Sequence, residues 1–264
     1  MADYALTISE AELARYRVMA QRAGVAEAAE LRLAGVAPGA TVADVGCGPG
    51  AMSVELARLV GTSGRVVAIE PDERSRVTAA TVIQAAGVSN VELMAGTATD
   101  TGLEPASVDV VMLRHVLAHN GGREQEFVTH LATRARPGGT VYLVDVDLTA
   151  LRFIDADPAL DDLQDRYAAF QRARGNDPRV GLRLAQLLAA ANLNVLAFIG
   201  RYNIAPGPPG MRPPAWAARD AMLAEGAVSQ EDIDRWTTGF DRLDSAEVRP
   251  TIFVPSFIAI GQRP

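Results

Sequence analysis

Two hydrophobic rhythms alternate along this chain, and their alternation predicts a layered α/β fold. Residues 41–46, 65–70, 91–95, 108–113 and 140–145 are short apolar runs rich in Val and Ile or their like. Such runs are the pattern of strands buried on both faces. Between the first two, residues 51–60 place Met52, Leu56, Leu59 and Val60 near helical spacing, and residues 123–136 read as a further helix on the outside. Strands alternating with helices imply a mostly parallel sheet with helices on both faces.

The ends of the chain depart from this rhythm. Ser9 followed by Glu12 is a capping-box pattern that starts a helix over 9–23, and 26–34 continues as a second. After the fifth run, residues 147–178 carry a charged amphipathic helix at 158–174, placed over the carboxyl ends of the strands. Residues 179–192 read as a helix, 195–204 as a strand and 251–262 as the last strand. The intervening 205–247 opens with five prolines in ten residues, Ala205 to Pro214. That composition makes a stiff loop with few backbone donors. Its helices, 216–225 and 231–243, suit a lid over the sheet's edge or a subunit interface.

The richest chemistry sits where the first strand ends. Asp44-Val45-Gly46-Cys47-Gly48-Pro49-Gly50 is a strand running into a glycine turn and then a helix. Glycines there let backbone N–H groups approach a ligand closely. Gly46, Gly48 and Ala51 fit a dinucleotide fingerprint, and the next strand ends in Glu70, about 20 residues on, where an acid holds ribose hydroxyls. Both an NAD-type cofactor and S-adenosylmethionine satisfy this much.

The ordered series of motifs resembles the class I S-adenosylmethionine-dependent methyltransferases. Asp44 to Gly50 matches the family's first motif and Ile69-Glu70-Pro71-Asp72 its acidic second motif. Gly96-Thr97-Ala98 stands where the family reads Gly-Asp-Ala, with Thr97 in place of the acid that accepts from the adenine amino group. Ser107 to Val111, Arg114 to His119, and Arg136-Pro137-Gly138-Gly139 with the run after it resemble the fourth strand, its following segment and the fifth strand. The tail, Gly175 to Leu184 and Phe257 to Pro264, and the front, Tyr4 to Leu6 and Glu12 to Tyr16, resemble the ubiquinone/menaquinone-biosynthesis type, which includes enzymes that decorate natural products. Met19 departs from the Gln often found there.

The resemblance implies a Rossmann-like seven-stranded sheet, mostly parallel, with an antiparallel last strand inserted beside the sixth. It implies one domain over 1–264: an N-terminal helical cap at 1–36, a cofactor-binding core at 37–147, and substrate-side insertions at 148–178 and 205–247. The cofactor would be S-adenosyl-L-methionine, leaving S-adenosyl-L-homocysteine, held by Tyr4, Asp44, Gly46, Cys47, Gly48, Glu70, Pro71, Thr97, Ala98 and Arg114. A small molecule would accept the methyl group. A protein that binds the same ligand without methylating is the alternative.

Composition narrows the partners. A chain of 264 residues, 48% hydrophobic, can bury one substantial core. A net charge of −7 argues against nucleic acid, which requires clustered positive charge. No apolar run reaches a membrane span of about 18 residues, and no signal-peptide pattern opens the chain, so a cytoplasmic enzyme is expected, with a homodimer possible. Cys47 is the single cysteine, which excludes an internal disulfide. All 25 basic residues are Arg, so lysine Schiff-base, P-loop and Tyr-x-x-x-Lys dehydrogenase chemistry are excluded.

An oxygen or nitrogen acceptor has a proton to lose, and His is the natural base near neutral pH. His119, just beyond the fourth strand, is the candidate base, and it shares a face with His115 if that segment is helical. His130 belongs to the outer helix. The motif H-E-x-x-H is absent and no metal is expected. Asp145 and Asp147, at the carboxyl end of the fifth strand, complete the expected acceptor pocket with the two histidines. Arg114 has either Asp44 or an acceptor carboxylate as its expected partner.

Overall fold

Helices and strands follow one another in the order the sequence pattern predicts, in a computed structural model that describes residues 10–207 and 210–264. Ser9 and Tyr4 lie outside the described residues. Helices α1 (Glu10–Ala26) and α2 (Ala28–Leu33) precede the sheet. There follow β1 (Thr41–Val45), α3 (Ala51–Val60), β2 (Arg65–Glu70), α4 (Glu73–Ala85), β3 (Val91–Ala95), β4 (Val108–Arg114), α5 (Glu124–Arg134) and β5 (Ala135–Val146). A short strand absent from the sequence reading, β6 (Arg152–Ile154), leads to α6 (Pro158–Ala173), α7 (Leu184–Ala190) and β7 (Asn194–Pro206). The chain closes with α8 (Pro214–Ala217), α9 (Arg219–Ala224), α10 (Gln230–Ser245) and β8 (Thr251–Gln262).

The caps explain several boundaries. Asp72 accepts from Ser75 N at 2.7 Å to start α4. Asp157 accepts from Ala159 N at 2.9 Å, just before Pro158, whose missing N–H costs nothing in a first turn. Ser229 and Asp232 make a reciprocal capping box that opens α10. The expected helix over 179–192 is instead a 3-10 turn, Val180–Arg183, followed by α7.

Among the described residues the sheet has eight strands, one more than expected. β3, β2, β1, β4 and β5 are parallel neighbours in that order. β8 runs antiparallel to β5, pairing Val141 with Gly261 and Leu143 with Ala259, and antiparallel to β7 on its other edge. β6 extends the β5 side by pairing with the start of β8. The antiparallel strand therefore lies between the fifth strand and β7, as the resemblance implies. Among the described residues β7 pairs only with β8, and it keeps Tyr202 and Ile204 more than half exposed.

Three apolar clusters hold the layers together. One packs α5 and α7 on one face of the sheet through Phe127, Leu131, Leu184 and Leu188. The second packs α1, α2 and α3 on the other through Leu31, Leu56 and Val60. The third is separate from both and joins β6, α6 and the 214–245 helices around Leu160, Leu163, Trp236 and Phe240. Residues of 148–178 and 205–247 thus form one cap around a shared apolar core, against which Val146 of β5 and Ile252 and Val254 of β8 also pack. No described helix is long and apolar enough to cross a membrane.

β1 adjoins β2 on one side and β4 on the other, so the strand order reverses between β1 and β4. In open α/β sheets ligands bind in the crevice at that reversal, outside the carboxyl ends. Glu70, Gly46, Arg114 and Asp145 all stand at or just beyond those ends.

Trp236 anchors the cap: it is fully buried, and its indole N–H donates to Asp162 Oδ2 at 3.0 Å across to α6. Trp236→Ala should cost about 3–5 kcal/mol, the usual range for removing a buried Trp. Urea unfolding followed by far-ultraviolet circular dichroism measures it, and a loss below about 1 kcal/mol would show that the cap does not depend on this side chain.

Candidate active site

The glycine turn is held by its own backbone and by Glu70. Gly46 N and Cys47 N both donate to Ile69 O, at 2.8 and 3.1 Å, tying the end of β1 to the end of β2. Gly46 has φ +69°, and a Cβ there would meet Val116 Cγ2 at 2.7 Å, so both conformation and space demand glycine. Glu70 accepts from Gly48 N at 2.9 Å on one oxygen and from Asp72 N at 3.0 Å on the other. Each carboxylate oxygen has a second lone pair, which leaves capacity for a pair of hydroxyls. Burial raises the Glu70 pKa against those two bonds. Pro71 O accepts from Arg76 Nη1 at 2.6 Å, fixing the turn that follows. Burial pushes the Cys47 thiol up, away from thiolate chemistry.

Asp44 is 2% exposed and accepts from Ser53 Oγ at 2.6 Å, a bond from β1 to α3. Burial outweighs that bond and the nearby Arg114, and its pKa is pushed up to about 6. Arg114 does not take Asp44 as its hydrogen-bonded partner. Its guanidinium is bidentate to Glu27, at 2.6 and 3.0 Å, and Tyr142 Oη donates to the same carboxylate at 2.8 Å. Glu30, one turn on, takes Arg201 of β7 at 2.6 Å.

Glu27 and Glu30 were missed by motif reading. The signal was present: two acids three apart share a helical stretch with Leu31 and Ala34, an unusual placement on a face that becomes buried. Arg201 is likewise the one charge in β7.

The segment after β4 is not the regular helix that would align His115 with His119. His115 has φ +55°, and only Leu117–His119 forms a 3-10 turn. Asp145 shapes it: fully buried, its Oδ2 accepts from Ala118 N at 3.2 Å and its Oδ1 from Val146 N at 2.9 Å. Its pKa is pushed up to about 7 by burial, against those bonds. Asp147 accepts from the Thr149 backbone and hydroxyl at 2.9 and 2.6 Å, capping a short turn. These two acids therefore serve backbone structure at the edge.

Burial, with Arg114 beside it, lowers the His115 pKa to about 3. His119 is also lowered by burial, and its Nδ1 lies 3.5 Å from Gln171 Nε2 on α6. His130 is away from this group, 3.3 Å from Thr101 Oγ1. Thr97 closes a turn by accepting from Asp100 N at 3.0 Å, and Ala98 beside it is buried.

Two expectations follow. Glu27→Ala should cost about 3–5 kcal/mol, because Arg114 would be left buried without its counter-charge; chemical denaturation at neutral pH reads it. Asp44 and Asp145 hold protons in the fold that the unfolded chain, with carboxylates near the usual pKa of about 4, has released. Between pH 4 and 7, roughly, the folded state binds more protons, so their contribution to stability falls as pH rises and is fully lost above their folded pKa values. Asp145→Asn, which cannot titrate, should flatten that slope, and an unchanged slope would place the protonation elsewhere.

Residues 42–139 match the family described as methyltransferase domain. No curated protein matches the sequence. Among solved structures, a putative methyltransferase from Bacillus halodurans is 18% identical, covering 90% of this chain and 98% of its own, with a TM-score of 0.60. A geranyl diphosphate methyltransferase in complex with S-adenosylmethionine is 14% identical over 100% of this chain and 93% of its own, TM-score 0.54. The [4+2]-cyclase SpnF is 16% identical over 99% of this chain and 84% of its own, also TM-score 0.54. The strand order and the glycine turn bound to the acidic end of β2 belong to a fold that this chain shares with solved methyltransferase structures, and residues 42–139 within it match the methyltransferase-domain model.

Proposed function

We propose that the protein transfers a methyl group from S-adenosylmethionine to a small-molecule acceptor of the quinone-precursor or natural-product kind. The observation that carries this reading is the Glu70 carboxylate, bound to the backbone of the glycine turn yet retaining lone pairs on both oxygens. That site fits the ligand: an acid with lone pairs for two ribose hydroxyls, beside a glycine turn whose own amides are already bonded within the fold and whose missing side chains leave room for a ligand. When bound, the ligand supplies an electrophilic methyl group on a sulfonium.

The chain's own part is alignment and exclusion of water. Proximity and orientation supply about 7–11 kcal/mol in such reactions. Glu70 would accept the ribose hydroxyls, and the Gly46, Cys47 and Gly48 backbone with Asp44 would surround the amino-acid portion. Pro71, Thr97 and Ala98 would flank the base, and the Arg114 carbonyl would receive the ammonium. The Arg114 side chain is committed to Glu27, which supports a structural duty for it. On the acceptor side stand His115 and His119, with Asp145 and Asp147 shaping the loops around them. The separate cap of α6 and α8–α10 supports a small acceptor enclosed from solvent. One other reading, a protein that binds the S-adenosyl ligand without methylating, is compatible with the fold being shared by a structure named as a [4+2]-cyclase.

Glu70→Ala should weaken S-adenosylmethionine binding at least tenfold by isothermal titration calorimetry, since a charged acceptor of hydrogen bonds is worth about 1.5–3 kcal/mol per bond. Equal affinity would refute this placement. Incubation with methyl-labelled S-adenosylmethionine and panels of phenols, quinols and amines should yield labelled product. Tight binding with no transfer across the panels would favour the non-methylating reading.

A further inference from the structure

Helix α6 turns an uncharged face toward the carboxyl edge of the sheet. Leu160, Leu163, Gln164, Tyr167 and Gln171 are buried on it, and the exposed residues of the helix lie on the opposite side. Its acids are engaged elsewhere: Asp161 accepts from Phe153 N of β6, Asp165 pairs with Arg152, and Asp162 accepts from Trp236 and Arg235 of α10. At its end the buried face meets the loop after β4. Gln171 Oε1 accepts from Asn176 Nδ2 at 2.7 Å, and Asn176 Oδ1 accepts from Gly121 N at 3.0 Å, where Gly175 leaves no room for a Cβ on Gly121. Gln171 Nε2 donates to Tyr167 Oη at 2.6 Å and lies 3.5 Å from His119 Nδ1.

Gln164 stands on the same stripe. Seven residues make nearly two whole turns, so it faces the same way as Gln171, about 10 Å nearer the start of the helix. It is 2% exposed, and no hydrogen bond among the described residues reaches its amide. The other buried polar atoms without partners belong to groups held at other atoms. Glu30 Oε2 and Arg201 Nε are parts of one ion pair, and Arg249 Nη2 is part of a guanidinium that donates to Gly207 O, Leu243 O and Asp244 O. An amide buried without a partner weakens the fold, whereas an apolar side chain of that shape would not. Such a group in a native interior requires a use.

We infer that Gln164 is a specificity-determining residue that hydrogen-bonds the methyl acceptor, and that this acceptor is an uncharged molecule carrying a second oxygen away from the methylated atom. The inference rests on the methyl-transfer reading above. An amide donates to a carbonyl or accepts from a hydroxyl, so either oxygen satisfies it. A carboxylate or phosphate finds no counter-charge on this face, whose polar groups are two amides and the Tyr167 hydroxyl, and burial keeps His115 and His119 neutral beside it.

The test compares the full chain with Gln164→Met, an unbranched apolar replacement. Without any substrate, Gln164→Met should unfold at higher urea than the unaltered protein; unfolding at lower urea would show that the amide serves the fold and would overturn the inference. In protein labelled with 15N-glutamine, the Gln164 side-chain signal, identified by its loss in Gln164→Met, should move on saturation with para-hydroxyacetophenone. It should stay in place with para-isopropylphenol, which lacks the carbonyl, and with the ionised para-hydroxybenzoate. With methyl-labelled S-adenosylmethionine, kcat/KM should favour the ketone over the hydrocarbon at least tenfold, and Gln164→Met should erase that preference, because a site built to bond an oxygen rejects the analogue lacking it. A signal unmoved by the ketone, or a preference that survives Gln164→Met, overturns the role of Gln164. A signal that moves while no phenol is methylated sinks the methyl-transfer reading and leaves the Gln164 contact standing.

Discussion

Burying Arg114 at the end of β4 is the constraint on which the carboxyl edge of this sheet depends. A guanidinium removed from water must be paired and fully hydrogen-bonded, and here Glu27 and, through it, Tyr142 supply the pairing. Glu27 sits between the two N-terminal helices, so satisfying one charge on the central strand also docks those helices over the edge. The Glu30–Arg201 pair makes a single contact at β7 and leaves Glu30 Oε2 and Arg201 Nε buried without a partner. Two ion pairs thus tie the N-terminal helices to β4 and β7, beside their apolar packing on α3 and the sheet.

Around that pair the edge is crowded with acids, and the fold treats each differently. Glu70 is bound to two backbone amides and retains capacity for a ligand. Asp44 and Asp145 are buried deeper, and both are pushed up towards protonation near neutral pH. Their cost is offset by structure: Asp44 joins β1 to α3 through Ser53, and Asp145 sets the turn that carries the histidines. A positive φ at His115 is strain of the kind held only where surrounding contacts over-determine it.

The cap adds the other wall. Its core is a cluster distinct from the sheet's two cores, touched by Val146, Ile252 and Val254 of the sheet, and it reaches the post-β4 loop through the Gly121–Gly175 approach and the Asn176–Gln171 amides. Polar groups whose orientation is dictated by a backbone N–H give this junction one arrangement, where apolar contacts would tolerate several.

Sequence by itself determined the order of the strands and helices around the sheet, the glycine turn and the acid ending β2, because periodicity, turn chemistry and short-range motifs are local properties. The antiparallel last strand followed from the family resemblance, and the bond from Gly48 to Glu70 from the structure. It placed Asp145 and Asp147 at the right edge and left their duty open, since a carboxylate's role depends on which amides lie within reach. It offered two partners for Arg114, and the actual one, Glu27, lies 87 residues away. The extra strand β6, the irregular segment from His115 to His119, and the amide chain from Gly121 to His119 likewise came only with tertiary structure. Each depends on contacts between residues far apart in the chain, and a buried polar group finds its partner in space, where leaving it unpaired is costly.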